Sequence, residues 1–275
     1  MTPFTITQAL VTAHTLGLDR LDAQLLLLHA LDKADTERAW LLAHDSDVVA
    51  EMSADAFRTF SLRRAAGEPL AYIVGHKEFF GLRFNVDSRV LVPRPDTETL
   101  VQWAMDVAHG ISLPDILDLG TGSGAVGIAI AHHLKCPVTA TDFSADALQI
   151  ASQNAARLGV DMQFIQSNWF EKVSGHYHVI ASNPPYIVSA DPHLAALTHE
   201  PLSALTAGED GLDDIQQIIE LAPQHLLLGG WLLLEHGYDQ ASGVCELLAR
   251  RGFAQVQSRM DLAGIARCSG GQWDN

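Results

Sequence analysis

Up to about residue 67 the apolar positions recur at helical spacing, with Leu21, Leu25 and Leu28 on one face and Phe57 and Phe60 three apart. Asp19, Thr36 and Ser53 stand as N-cap candidates, and Gly67 and Pro69 close the segment. The pattern predicts a small helical bundle over residues 1–67 that packs its own core. Residues 68–95 change period: "EFFGLRFNVDSRVLVP" is rich in aromatic and β-branched residues, with Asn85 and Asp87 as turn candidates, and predicts a β-hairpin connector. From about Thr97 helical patterns alternate with short apolar runs: "DILDLG", "VTATD", "MQFIQ", "HVIAS", "WLLLEHG" and "FAQVQS". That alternation predicts an α/β domain over residues 96–275, a doubly wound and mostly parallel sheet covered on both faces. Ligands of such sheets bind beyond the carboxyl ends of the strands, so functional residues are sought there.

Composition narrows the class. At 275 residues and 48% hydrophobic content the chain can fill a sizeable core, yet no run approaches the roughly 18 apolar residues of a membrane span. The start "MTPFTITQAL" lacks a secretory pattern, so a cytoplasmic protein without membrane contact is expected. Cys136, Cys245 and Cys268 are odd in number and form no CxxC pair, which indicates neither a disulfide framework nor zinc. His132 and Cys136 are four apart on a helix but lack further ligands, and no metal is expected. A formal net charge of −16, from 33 acidic and 17 basic residues, disfavours direct nucleic-acid binding, and a monomer is expected.

The first apolar run of the α/β region opens into "DLGTGSGAVGIAIAHHL". Gly120, Thr121, Gly122, Ser123 and Gly124 make a glycine-rich loop that permits a sharp turn and close backbone approach before a helix. The second run ends at Asp142, whose carboxylate suits the two hydroxyls of a ribose. A helix then follows, with Ser144 as its cap, Leu148, Ala151, Ala155 and Leu158 on one face, and Gly159 as its stop. This points to a nucleoside cofactor without naming it. Gly122, Gly124 and Gly127 also satisfy G-x-G-x-x-G, so a nicotinamide-dependent oxidoreductase stays open at this point.

The stretch "SNPPY", residues 182–186, discriminates. An amide or aromatic-amine nitrogen is a poor nucleophile because its lone pair is delocalised. The Asn183 side-chain oxygen and the Pro184 carbonyl can accept two hydrogen bonds from an NH2 group and aim its lone pair at a methyl donor. Pro184 and Pro185 fix the loop dihedrals and add no competing donors, and Tyr186 offers a flat surface to a planar group. Methyl transfer to nitrogen follows, with no general base required. The acceptor is a planar amide or an aromatic amine, and N-P-P-Y by itself also resembles the adenine-N6 methyltransferases that act on nucleic acid.

The segments "GEPLAYIVGHKEFFGLRFNV", "VLVPRPDTETLV", "DLGTGSGAVGIAIA", "SNPPYI", "EPLSAL", "GLDDIQQIIELAP" and "GGWLLLEHGYDQ" resemble, in order and spacing, the HemK-type glutamine methyltransferases that modify peptide-chain release factors. The resemblance covers nearly all of the chain from about residue 67 and, more loosely, the helical N-terminus. It implies S-adenosylmethionine as cofactor, without metal, and as partner a release factor whose Gly-Gly-Gln glutamine is methylated on the side-chain amide. Matching positions imply that Gly120 to Gly124 hold the methionine end of the cofactor, Asp142 its ribose and Trp169 its adenine. Asn183 would border the cofactor and, with Pro184, Pro185 and Tyr186, receive the glutamine. The helical segment would then recognise the release factor.

Two departures from the family pattern stand out: Asn168 where an acidic residue is common, and Ala266 between Gly264 and Arg267. The loop "PRPDTE" matches too, and the resemblance implies that it helps to wall the site, while Pro95 and Asp96 near a helix start, with Thr97 and Glu98 in the first turn, also read as ordinary helix initiation. Glu235 and His236 read as sheet-end hydrogen bonding. The tail carries Gly270, Gly271 and Gln272, the tripeptide of the implied substrate, and is expected to be a terminal turn.

Overall fold

The structure, a computed structural model, describes residues 4–274. It divides into two compact units, one ending at His76 and one beginning at Lys77.

The first unit is helical: α1 (Ile6–Thr15), α2 (Arg20–Ala30), α3 (Arg38–Ala43), α4 (Glu51–Ala65) and α5 (Leu70–Val74). Thr5 and Gln8 start α1 with a reciprocal cap, each side chain accepting from the other's backbone N–H at 3.3 and 3.0 Å. Leu26, Leu27, Leu28, Leu41 and Phe57 are buried in this unit's own core, and Phe60 packs against it. Leu21 is exposed, against the expected face. Four consecutive leucines, 25 to 28, leave the buried side of α2 undetermined by spacing alone, so packing against α1 and α4 decides it. Two expected caps fall inside elements. Thr36 lies in a 3-10 turn and Ser53 within α4, while Asp19 precedes α2 without a side-chain capping bond.

The hairpin is shorter than its expected span. It comprises β1 (His76–Phe79) and β2 (Leu82–Asn85), and residues 70–74 before it are helical as α5. Its turn is Phe80 and Gly81, not Asn85 or Asp87. Both turn residues have positive φ (49° and 75°), which matches the twist of a two-residue hairpin.

The second unit is the expected doubly wound α/β domain. After α6 (Glu98–Ala108) come β3 (Ile116–Leu119), α7 (Ala125–Leu134), β4 (Val138–Asp142), α8 (Ala145–Leu158), β5 (Gln163–Gln166) and β6 (Tyr177–Ser182). Then follow α9 (Asp213–Leu221), β7 (Leu226–Glu235), α10 (Ala241–Arg251), β8 (Ala254–Met260) and β9 (Ala266–Trp273). The sheet order is β5-β4-β3-β6-β7-β9-β8, parallel except for β9, which runs antiparallel to both neighbours. Leu119 pairs in register with Thr141 on one side and Ser182 on the other, so β3, β4 and β6 end level with one another. The order in which strands are added to the sheet switches sides between β3 and β6, which opens a crevice at their carboxyl ends. Ser182 Oγ donates to Leu119 O at 2.8 Å and locks the two strand ends together.

The tail corrects the sequence reading. Gly270, Gly271 and Gln272 are not a turn but the interior of β9, paired with Leu233, Leu232 and Trp231 of β7. Side chains at either glycine would strike neighbouring atoms: a Cβ on Gly270 would lie 2.6 Å from Leu232 O, and one on Gly271 2.8 Å from Phe253. The Gln272 amide donates to Gly229 O at 2.8 Å and accepts from Gln255. The tripeptide is bound into the sheet by packing and pairing.

Among the described residues no helix is long and apolar enough to cross a membrane, and no group of three or more His, Cys, Asp or Glu is placed to hold a metal ion.

Candidate active site

At the level ends of β3, β4 and β6 lies a cavity of about 380 Å³. Gly120, Thr121, Gly122 and Ser123 line it, together with Asp142, Trp169, Asn183 and Pro185. Gly124, Pro184 and Tyr186 do not. Gly124 instead lets α7 approach α8: a Cβ there would sit 2.5 Å from Ile128 and 3.2 Å from Ala151. Pro184 is buried, and Tyr186 is half-buried against the core around β6 and β7.

Backbone groups shape the end of the cavity at the glycine loop. Thr121 N donates to Thr141 O at 2.8 Å, joining the glycine loop to β4. Asp142 accepts from Gly122 N at 2.9 Å and from Ser144 N at 2.8 Å, which holds the carboxylate at the strand end. Burial pushes its pKa up, and the N–H groups of Ser144, Gly122 and Phe143 oppose the rise. Ser144 caps α8 and Gly159 ends it. Asp118, almost fully buried beneath the loop, accepts from Thr121 Oγ1 at 2.6 Å and Gly127 N at 2.8 Å. Desolvation raises its pKa to about 6. Gly127 is thus a packing glycine, since a Cβ would lie 2.8 Å from the Asp118 carboxylate.

Trp169 has φ +44°, a conformation that non-glycine residues rarely take, and its indole N–H donates to Asp214 Oδ1 at 3.1 Å. A Cβ at Gly120 would stand 3.3 Å from its ring, so the indole lies against the glycine loop. Asn168, the first departure, lines the cavity and donates to Glu171 at 2.9 Å.

The end of the cavity at Asn183 is built by side chains distant in sequence. Asn183 Nδ2 donates to Thr97 Oγ1 at 3.3 Å. Glu200, buried, accepts from Arg94 Nη2 at 2.5 Å and Val92 N at 3.2 Å, joining the "PRPDTE" and "EPLSAL" loops beside the cavity. Arg267 pairs with Asp261 at 3.2 Å and Asp96 at 3.3 Å, so the strand that carries Ala266 still holds the loop before α6. The Gln240 side-chain amide donates to Tyr186 O at 3.1 Å and accepts from Gly237 N at 2.8 Å, tying down the exit of the Asn183 loop.

Several cavity residues were not singled out from sequence. Thr141, Phe143 and Asp214 line it, as do Arg94 and Thr97 of the "PRPDTE" loop, which was expected to wall the site without either being named for it. For Phe143 a signal existed: it follows directly on Asp142, and an exposed aromatic there (73% accessible) offers a stacking face to a planar base.

Comparison with known proteins agrees with this geometry. Residues 97–200 match the methyltransferase small domain family and residues 6–75 the PrmC N-terminal domain. The release factor glutamine methyltransferase of Bordetella pertussis (strain Tohama I) is 47% identical over 262 residues, spanning 93% of this chain and 95% of that protein. This chain belongs to the release factor glutamine methyltransferase family. The Burkholderia pseudomallei (strain K96243) member is 45% identical over 266 residues, spanning 93% of this chain and 92% of its own. Among solved structures, a methyltransferase from Pyrococcus furiosus superposes with a TM-score of 0.56 at 21% identity, over 78% of this chain and 99% of that one. The 16S rRNA N2 G1207 methyltransferase of T. thermophilus, solved with AdoMet and guanosine, gives 0.54 at 17%, over 72% and 49%. These structural likenesses concern the fold alone. Membership in a glutamine methyltransferase family sets aside the nicotinamide reading of the glycine loop, in which two of the three glycines serve helix and strand packing.

Proposed function

We propose that this protein transfers the methyl group of S-adenosylmethionine to the side-chain amide nitrogen of the Gly-Gly-Gln glutamine of a peptide-chain release factor. The observation that carries the reading is the placement of Asn183, at the end of β6, on the wall of the same cavity as the glycine loop and Asp142. A methyl donor held on that loop and an amide held by Asn183 would share one space.

The residues present suit the donor. The glycine loop passes Gly120 and Gly122 through positive φ (70° and 55°), leaving its backbone open to close approach. Thr141 Oγ1 is buried on the cavity wall without a hydrogen-bond partner among the described residues. Asp142 would hold the ribose hydroxyls, and Trp169 with Phe143 would flank the base. When bound, S-adenosylmethionine supplies an electrophilic methyl on a sulfonium. The protein's own part is to bind, orient and exclude water. Asn183 Oδ1 and the Pro184 carbonyl would accept the two N–H groups of the glutamine amide, turning its lone pair toward the donor. Tyr186, beyond the cavity lining, would bound the acceptor side. The methylated amide is acidic and loses its proton without a dedicated base.

Residues 1–67 carry none of the proposed site residues, and we assign them the recognition of the folded release factor. The adenine alternative uses the same acceptor geometry, and the chain's net charge of −16 disfavours a polyanionic substrate. Incubation with labelled S-adenosylmethionine, an intact release factor and, separately, duplex DNA, followed by peptide mass mapping, tests the reading. Label is expected on the Gly-Gly-Gln glutamine, reduced at least about a hundredfold in Asn183→Ala while cofactor binding persists. Label on adenine, or full turnover by the variant, would overturn it.

A further inference from the structure

An asparagine that must present its oxygen to a substrate can fail by rotating its amide through half a turn. The two orientations have nearly the same shape and opposite hydrogen-bonding character. What fixes this choice for Asn183 lies behind it. Glu235, the last residue of β7, is 1% exposed, and its carboxyl lies beside the side chains of Thr97 and Asn183, which favour its ionised form. Thr97 Oγ1 in turn accepts from Asn183 Nδ2. Glu235 Oε2 has no partner among the described residues, so the carboxyl is held from one side only.

We propose that Glu235 and Thr97 are positioning residues that orient the Asn183 amide for methyl transfer. The amide has two N–H groups: one goes to the threonine oxygen at 3.3 Å, and the neighbouring carboxylate is the acceptor offered to the other. In this arrangement the Thr97 hydroxyl accepts from Asn183 and directs its own hydrogen to Glu235. Rotating the amide would set its carbonyl oxygen against a carboxylate and a hydroxyl oxygen already engaged as donor elsewhere. Only the orientation with Oδ1 free for the cavity gives every hydrogen of the three side chains an acceptor. The isolated buried carboxylate is costly by itself, which argues for a use beyond stability.

Protonation bears on this device. Burial, the leading cause, lifts the Glu235 pKa to about 7, helped by the Asp96 carboxylate and opposed by Thr97, Arg267 and Asn183. Tyr186 and Cys268 also face this charge, each with its pKa raised chiefly by burial. The ionised carboxylate is the better acceptor for both donors. Turnover is therefore expected to fall as pH drops through about 7.

The inference rests on the proposed function and is tested on the full-length enzyme with intact release factor. Thr97→Val, which keeps shape and removes the hydroxyl, is expected to lower kcat about tenfold or more with cofactor affinity changed less than about twofold. Thr97→Ser should restore most of the loss. Glu235→Gln should abolish the acid limb of the kcat profile near pH 7 while raising the melting temperature at pH 8, a pairing that a purely structural residue would not give. Wild-type kcat in Thr97→Val, no rescue by serine, or an unchanged acid limb in Glu235→Gln would each overturn the inference. The threonine pair decides even if the Glu235 variant does not fold. Absence of glutamine methylation by the wild-type enzyme, by contrast, would remove the proposed function itself.

Discussion

The two ends of the cavity are built by different means. At the glycine-loop end, the proposed cofactor side, the groups that set the shape are backbone N–H groups and one strand-end carboxylate, all close in sequence: Gly122 N and Ser144 N on the Asp142 carboxylate, and Thr121 N on Thr141 O. At the acceptor end side chains do this, across wide sequence gaps: Asn183 to Thr97, Arg94 to Glu200, Gln240 to Tyr186. A buried carboxyl near the end of a strand lies beneath each end. Asp118 is satisfied by two donors, while Glu235 keeps an oxygen with no partner. A binding loop needs a fixed shape, which backbone geometry supplies. An acceptor site needs one amide facing one way, which takes a network of charges and hydroxyls.

The sharpest way to break this contrast is to show that the cofactor end also depends on a remote side chain. Asn154 of α8 is fully buried and donates to Asn85 O at 3.0 Å and Ser123 O at 2.9 Å, while accepting from Asn85 N at 2.8 Å. It fastens β2 and the glycine loop to the same helix. Asn154→Leu keeps the volume and strands three backbone groups, at a cost of about 4 kcal/mol. The melting temperature is expected to fall on the order of 10 °C, with weaker cofactor binding because Ser123 loses its anchor. A shift under about 2 °C would mean that the loop holds itself.

A smaller effect separates the two carboxyls. Asp118 binds its proton more tightly in the fold than in the unfolded chain, with a pKa near 6 against 3.8. Stability from this group therefore falls as pH rises from about 4 to about 6 and stays low above it, a loss of about 3 kcal/mol at full ionisation. Asp118→Asn retains an acceptor oxygen for Thr121 and Gly127 without the charge. Urea unfolding should show the variant gaining on the wild type by roughly that amount between pH 4 and pH 8. A constant difference across that range would show the charge to be compensated. Unlike Glu235→Gln, this change should leave the orientation of Asn183, and so kcat, nearly untouched.

What was legible in the sequence follows the same division. The glycine loop, Asp142, Ser144 and Gly159 were readable because each acts within a few residues of a strand or helix end, where residue type and spacing dictate geometry. The Asn-Pro-Pro-Tyr stretch stood out by its residue types, and of its members Asn183 and Pro185 line the cavity while Pro184 and Tyr186 do not. Thr97 and Glu235 were not: each looked like ordinary helix initiation or a strand end, and only the pairing of β6 with β7 brings Glu235 behind Asn183. Strand β9 was missed because Gly270 and Gly271 read as a turn, whereas close packing against Leu232 and Phe253 requires them in a strand. The α2 face failed for want of a period in a run of four leucines.

The smallest effect bears on how far backbone alone shapes the cofactor end. Gly120 and Gly122 both have positive φ, at 70° and 55°, but a Cβ at Gly122 meets nothing within 4 Å while one at Gly120 meets the Trp169 ring at 3.3 Å. Gly122→Ala should cost only the left-handed strain of an alanine, about 1 kcal/mol. Gly120→Ala carries the same strain and must also displace the indole, and with it the Trp169 to Asp214 hydrogen bond. Its expected signature is a change in tryptophan fluorescence and about tenfold weaker cofactor binding, with the Gly122 variant close to wild type in fluorescence. Equal behaviour of the two variants would mean that Trp169 moves aside freely. The tryptophan would then be a passive wall, and the division between a backbone-built end and a side-chain-built end would hold without exception.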